Sequence, residues 1–255
     1  MSLTGWIITL IAVVAGGVGA AAWLRPWLTV GPRGSVTLGA AWRFARFFCR
    51  VVHQVRVTGL EHLPPGGNRP GPLIVVSNHT CGLDPLLIAA ACPFHIRWMM
   101  ASNYMTPEAR WFWRWVDVIP VSRDGKDTGP AREAIRHVRE DRGCVGIFPE
   151  GGIPDPPGRI RPFQPGVGLI VSRSRAPVLL TWVSGTPRGT SPFGAVIKPS
   201  RSRVHFVGLF DFTGERDPQA IADRLRAELA RASGWPLDDQ PVPTARKRAR
   251  DPFGV

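Results

Sequence analysis

The sequence predicts an α/β protein, a largely parallel mixed sheet flanked by helices, preceded by an N-terminal transmembrane helix and an amphipathic interfacial helix. Three observations carry that expectation. From about Gln54 onward, short apolar runs alternate with helical stretches. A charge-free apolar segment opens the chain. Between the two, arginines gather on one helical face and aromatic residues cover much of the remainder.

The apolar segment runs from Leu3 to Leu24 and is long enough, as a helix, to cross a hydrocarbon core of about 30 Å. Trp6 and Trp23 stand near its ends, where indoles favour the membrane interface. Ala12, Gly16 and Ala20 recur at every fourth position and would share one helical face. Ala20-Ala21-Ala22 resembles a signal-peptide cleavage site, but no Lys or Arg precedes the apolar run, so an anchor over residues 1–30 is the better reading. The nearby positive charge, Arg25, Arg33, Arg43, Arg46 and Arg50, all follows the segment. By the positive-inside rule the body then faces the cytoplasm.

Residues 31–53 are expected to form a membrane-contacting helix, with Val36–Val52 as its amphipathic part. Arg43, Arg46 and Arg50 share one face, beside Trp42, Phe44, Phe47, Phe48 and Val51. A helix packed on the core with a solvated arginine edge is the competing reading.

In the body, strands are expected at Gln54–Thr58, Pro72–Ser77, Val116–Val121, Cys144–Phe148, Pro177–Val183 and Arg203–Phe210. Helices are expected at Pro85–Ala91, Pro107–Trp115, Pro130–Asp141, Gly166–Arg173 and Pro218–Ala232. Asp84-Pro85 and Thr106-Pro107 each set a capping residue before a first-turn proline. The stretch 235–255, with four prolines and the run Arg246-Lys247-Arg248-Ala249-Arg250, reads as a disordered basic tail.

Composition narrows the function. Hydrophobic residues make up 44% and charged residues 20% of the 255, the balance of a folded chain. The net charge of +13 rests almost wholly on arginine, since only Lys126, Lys198 and Lys247 are lysine. Such an excess suits anionic lipid, phosphorylated substrates or nucleic acid. Against nucleic acid, there is no zinc-finger spacing and no RNP-type aromatic signature, and a Walker loop is also missing. Gly166-x-Gly168 lacks the third glycine of a dinucleotide fingerprint. Cys49, Cys81, Cys92 and Cys144 form no CxxC pair, so neither a structural zinc site nor a disulfide framework is expected.

The chemistry-bearing residues cluster at the junction Ser77-Asn78-His79-Thr80-Cys81-Gly82-Leu83-Asp84-Pro85. The apolar run Leu73–Val76 delivers His79 to a strand's carboxyl end, where open α/β sheets place their sites. On a straight helix, His79 and Asp84 would point roughly 140° apart. A loop folding back would instead let the carboxylate hold one imidazole nitrogen and leave the other as a base. Spacing alone does not choose between that and Asp84 as a helix cap.

Asn78-His79 with Asp84 resembles the His-x4-Asp signature of the glycerophosphate and lysophosphatidate acyltransferase family. Phe148-Pro149-Glu150-Gly151 is similar to its Phe-Pro-Glu-Gly block. Val118-Ile119-Pro120-Val121-Ser122-Arg123 resembles the block ending in a substrate-binding arginine, and Ala176-Pro177-Val178-Leu179-Leu180 the fourth, proline-containing block. The order is the family's, over about Arg56 to Leu209. The departures are Gly152, Ile153 and Pro154 after the Phe-Pro-Glu-Gly block, with Arg159 and Arg161 displaced downstream. The second block also lacks its glycine, Leu180 stands where a second proline is common, and Cys81 replaces a frequent serine.

The resemblance implies an acyltransferase domain over 54–234. It would move a fatty acyl group from acyl-CoA or acyl carrier protein to a lysophospholipid hydroxyl, with 1-acylglycerol-3-phosphate the first expectation and other lyso-lipids open. No cofactor or metal is implied. His79 is the implied base and Asp84 its orienting carboxylate. Substrate would be met by Asn78, Arg123, Glu150 and Gly151, with Arg159 and Arg161 as helpers. Arg123 would hold the acceptor's phosphate, and Glu150 a glycerol hydroxyl or an arginine; a buried ion pair fixing the loop is the structural alternative for Glu150. Two rivals remain: a thioesterase using Cys81 as nucleophile with His79, and a non-enzymatic basic membrane adaptor.

Overall fold

The structure, a computed structural model, describes residues 3–29, 31–122, 127–187 and 194–242, with only some side chains described in the first helix. Its centre is a seven-stranded sheet: β1 (Arg56–Thr58), β2 (Leu73–Ser77), β3 (Arg97–Ala101), β4 (Ile119–Val121), β5 (Cys144–Ile147), β6 (Val178–Ser184) and β7 (Arg203–Phe210). The spatial order is β1-β7-β6-β2-β5-β3-β4. Every neighbouring pair is parallel except β6 with β7, so the mixed, largely parallel sheet expected from the alternation is what forms.

β2 shows why the sheet is covered on both faces. All five of its residues are buried. Ile74 and Val76 point into one core cluster, with Val145, Ile147, Val178 and Leu180 from the flanking strands. Helices α5 (Gly129–Arg139), α6 (Pro165–Ser174) and α8 (Pro218–Ser233) close that side with Val138, Ile170 and Leu225. Leu73 and Val75 point the other way, against α3 (Asp84–Ala91) and α2 (Val36–Val51) through Leu87, Ile88 and Cys49. A strand with apolar side chains of both parities belongs in the middle of such a sandwich.

The opening segment is one helix, α1, over Leu3–Thr29, continuing through Arg25 and Pro26. Among the described residues no helix is long and apolar enough to cross a membrane, so the expected span is not shown. A turn at Pro32–Gly34 leads into α2, whose first turn is capped by Ser35 accepting from the Leu38 amide at 3.4 Å. The aromatic face expected for α2 divides in two. Phe48 packs inward with Ala45 and Cys49, and Trp42 donates its indole N–H to the Cys92 carbonyl at 2.7 Å. Phe44 and Phe47 stay 67% and 65% exposed, together with Val51.

Other expectations are corrected. β3 was not foreseen. Val116 ends helix α4 (Arg110–Val116) instead of opening a strand, because Asp117 takes a left-handed conformation (φ 59°) as its C-cap and β4 starts only at Ile119. Before α4, Pro107–Ala109 forms a separate 3-10 turn, and Thr106 makes no side-chain cap bond there. A short helix, α7 (Gly194–Ile197), precedes β7. The stretch expected to be loose from 235 is ordered at first: Leu237 bridges Ile160, and the Ile160 and Asp238 amides bond across at 3.0 and 3.1 Å. The Arg246–Arg250 run lies outside the described residues.

Candidate active site

Two central strands bring distant segments together. β2 and β5 are paired in parallel, with Val76 opposite Ile147. Three residues further along each strand stand His79 and Glu150, and the His79 amide donates to Glu150 Oε1 at 2.9 Å. Register alone therefore joins the two motif blocks.

Asn78 locks the end of β2 in place. Its side-chain amide donates to the Val183 carbonyl and accepts from the Val183 amide, both at 2.8 Å, extending the β2–β6 ladder by one side chain. Expected to meet substrate, this amide is buried and bonded to the sheet through both its nitrogen and its oxygen.

After His79 the loop turns back. Asp84 does not cap α3: the N-cap position is Leu83, and the carboxylate reaches backward. Oδ2 accepts from His79 Nδ1 at 2.7 Å, from the Thr80 amide at 2.5 Å and from the Cys81 amide at 2.9 Å. Oδ1 accepts from the Thr80 hydroxyl at 2.8 Å, and Thr80 is in turn bonded to Thr186 at 2.8 Å. A fully buried carboxylate is costly unless paired, and these donors satisfy it. Because an ionised carboxylate only accepts, the imidazole proton lies on Nδ1 and Nε2 presents a lone pair. Nε2 has no hydrogen-bond partner among the described residues, and the side chain is 17% exposed.

The imidazole also has a floor. Its ring stacks on Phe148 (centroids 4.2 Å, 16° between planes), and Phe148 stacks on Trp98 (4.8 Å, 11°). Trp98 fits there because residue 146 is glycine; a Cβ would come within 2.3 Å of the indole. Sequence reasoning missed Trp98 along with β3. A glycine inside an otherwise apolar strand was the available signal.

Glu150 is buried, and burial pushes its carboxyl up to about 7, with Asp84 adding to the rise. The His79 and Arg161 amides, donating to it at 2.9 and 3.2 Å, pull the other way, as does the Arg161 charge. A carboxyl raised in the folded state from its ordinary 4.5 contributes stability that is complete below about pH 4.5 and lost as pH rises through about 7. Unfolding free energy should fall by roughly 3 kcal/mol across that window, the scale set by about 1.36 kcal/mol per pKa unit. Urea titrations of the native protein and Glu150→Gln would check it; an equal pH slope in both assigns the loss elsewhere. Gly151 follows in a left-handed conformation (φ 74°), with the nearest foreign atom 3.5 Å from a built Cβ, so backbone conformation rather than space calls for glycine there.

The arginines divide. Arg161 is buried and turned into the C-terminal segment, where Nη1 meets Asp238 at 2.9 Å and the Gln240 carbonyl at 3.1 Å. Arg159 is half exposed, 3.6 Å from the same Asp238. Arg123 lies outside the described residues.

Cys81 is two residues from His79, yet its surroundings oppose a thiolate. Burial first, then the Asp84 charge, push the thiol up to about 12. It donates toward Asp84 Oδ1 at 3.6 Å and accepts from the Leu83 amide at 3.4 Å. Reaction as a nucleophile would require a thiolate that is roughly one part in 10⁵ at neutral pH. Cys81→Ser should therefore retain transfer activity, and iodoacetamide should leave the native enzyme active. A folded but inactive serine variant would restore the thiol mechanism.

A histidine held by a buried carboxylate, with its second nitrogen open at the carboxyl end of a central strand, is an arrangement chemically able to take up a proton. The Acyltransferase family model matches residues 54–184, slightly more than half of the chain, and the protein belongs to that family; it is an acyltransferase. Among solved structures, the chain is similar to the 1-acyl-sn-glycerophosphate (LPA) acyltransferase PlsC from Thermotoga maritima, with a TM-score of 0.60 and 21% identity over 76% of this chain and 77% of that one. At that identity the likeness speaks to the fold.

Proposed function

We propose that the protein transfers a fatty acyl group from an acyl thioester, acyl-CoA or acyl carrier protein, to the free hydroxyl of 1-acylglycerol-3-phosphate, giving phosphatidate. The observation that carries this reading is the 2.7 Å bond from His79 Nδ1 to Asp84, which leaves Nε2 as the open base. Nε2 takes the acceptor's hydroxyl proton as the oxygen attacks the thioester carbonyl. The tetrahedral intermediate then collapses, the carbon–sulfur bond breaks, and the imidazolium returns its proton to the departing thiolate. Asp84 steadies the imidazolium between the two steps. A thiolate leaves readily, so no acyl-enzyme is needed.

Glu150 serves this site by holding the His79 and Arg161 amides, and Asn78 by fixing the end of β2. For the acceptor's phosphate, Arg123 is the assigned partner, from its place in the second motif block, with half-exposed Arg159 as a helper. Arg161 is given a scaffold role because Asp238 and Gln240 already occupy its guanidinium. The lipid substrate calls for a membrane. α1 is the proposed anchor, with the body on the cytoplasmic face, and the exposed stripe of α2 the proposed contact with anionic lipid. Moving Phe44 and Phe47 from water into the acyl boundary is worth on the order of 2 kcal/mol each. The experiment is purified enzyme with isotope-labelled acyl-CoA or acyl carrier protein and a panel of lyso-lipids, read by mass spectrometry. Labelled phosphatidate is the expected product. Label on a different lyso-lipid would reassign the acceptor, and label on none would overturn the reading.

A further inference from the structure

Helix α4 reads Arg110-Trp111-Phe112-Trp113-Arg114-Trp115-Val116. At 100° per residue, Arg110, Trp111, Arg114 and Trp115 fall on one face, and all four are exposed, Trp111 by 72%. Phe112, Trp113 and Val116 fall on the opposite side and are partly buried. No ion pair engages Arg110 or Arg114 among the described residues. Beside the helix, Arg110, Trp113 and Arg114 line a groove of about 420 Å³ that reaches Pro120 of β4. Paired indoles with paired guanidiniums match the headgroup layer of an anionic bilayer, where the rings settle at the interface and the cations meet phosphate.

The position of α4 adds to this. Asp117, its C-cap, is ion-paired with Arg33 in the turn joining α1 to α2. Asp117 also meets the buried Arg97 at 3.0 Å, and Arg97 holds Glu133 of α5 at 2.7 Å. The end of α4 is thereby fixed to the root of the proposed membrane helices.

We propose that α4 is a second membrane contact, its arginine–tryptophan face binding the surface of an anionic phospholipid bilayer. The proposal rests on the membrane reading of α1 and α2 and adds to it that the catalytic body is itself docked, at a second point beside those helices. Two contacts set an orientation where one leaves the body free to swing.

The test uses the full chain with vesicles of phosphatidylglycerol and phosphatidylcholine, and with phosphatidylcholine alone, some carrying bromine-labelled acyl chains. Arg110→Gln with Arg114→Gln should weaken partition onto the anionic vesicles roughly tenfold or more, the scale of basic residues leaving such a surface. Trp111→Phe with Trp115→Phe should remove part of the bromine quenching of tryptophan fluorescence, whereas Trp113→Phe should remove none. Transfer to acceptor dispersed in detergent should be unchanged in these variants, and transfer to acceptor presented in anionic vesicles reduced. Unchanged partition and quenching in both double variants, with the native chain still bound, overturns the α4 contact and leaves the α1–α2 reading standing. A native chain that floats with neither vesicle overturns both.

Discussion

Replacing His79 with alanine is expected to cut acyl transfer by about 10²- to 10⁴-fold, the contribution of a positioned general base, in a protein that remains folded. Folding should survive because the loop does not depend on the imidazole. Asp84 keeps the Thr80 and Cys81 amides and the Thr80 hydroxyl as donors, so its buried charge stays paired. What is lost structurally is one stacking partner for Phe148, whose other face still lies against Trp98. Such ring pairs are worth about 0.5–1.5 kcal/mol, so a thermal midpoint lowered by a few degrees is the expected signature. Steady-state turnover and circular dichroism on one preparation decide the matter. Near-normal turnover in the folded variant would remove His79 from the chemistry.

How far this arrangement was readable beforehand depended on whether the cause was local. β2 was legible because a run of β-branched and leucine side chains with both parities apolar has few other places to go. β7, Arg203–Phe210, was legible as a short, largely apolar run rich in valine and phenylalanine. β3 was not, since Arg97-Trp98-Met99-Met100 has no β-branched residue and its burial comes from neighbours distant in the chain. His79 stood out by motif, but what its partner does was ambiguous. Asp84 before a proline has the local signature of a cap, and four donors in the preceding loop outcompete that signature. Arg161 resembled a phosphate ligand until Asp238, from a stretch with the composition of a disordered tail, proved to occupy it.

The same logic explains Glu150. Within its motif a carboxylate near an expected phosphate was puzzling, since like charges repel. The parallel pairing of β2 with β5 supplies the missing partners: two backbone amides take its two oxygens. Glu150 thus couples the loop carrying His79 to the loop carrying Arg161. Arg161 in turn is held by Asp238 after α8. His79 is positioned by a relay through three segments, none adjacent in sequence.

Asp84 offers the sharpest separation of orientation from charge. In Asp84→Asn, a carbonyl at the Oδ2 position still accepts from His79 Nδ1 and from the Thr80 and Cys81 amides. The new NH₂ then faces the Thr80 hydroxyl, which can turn and accept it while donating to Thr186. Fold and tautomer are both retained, and only the negative charge beside the imidazolium is gone. Bonds to charged groups contribute about 1.5–3 kcal/mol against 0.5–1.5 for neutral ones. Turnover should therefore fall roughly fivefold to tenfold, less than for His79→Ala, with little change in stability. Asp84→Ala removes the acceptor itself, leaving two loop amides without a partner in a buried site. Each such loss costs about 1–3 kcal/mol, so this variant should be less stable by several kcal/mol and as inactive as His79→Ala. Paired urea unfolding and turnover measurements on the two variants make the comparison. If the asparagine variant unfolds as readily as the alanine variant, the carboxylate's charge rather than its acceptor geometry holds the loop; if it turns over like the native enzyme, the charge on Asp84 contributes nothing to the transition state.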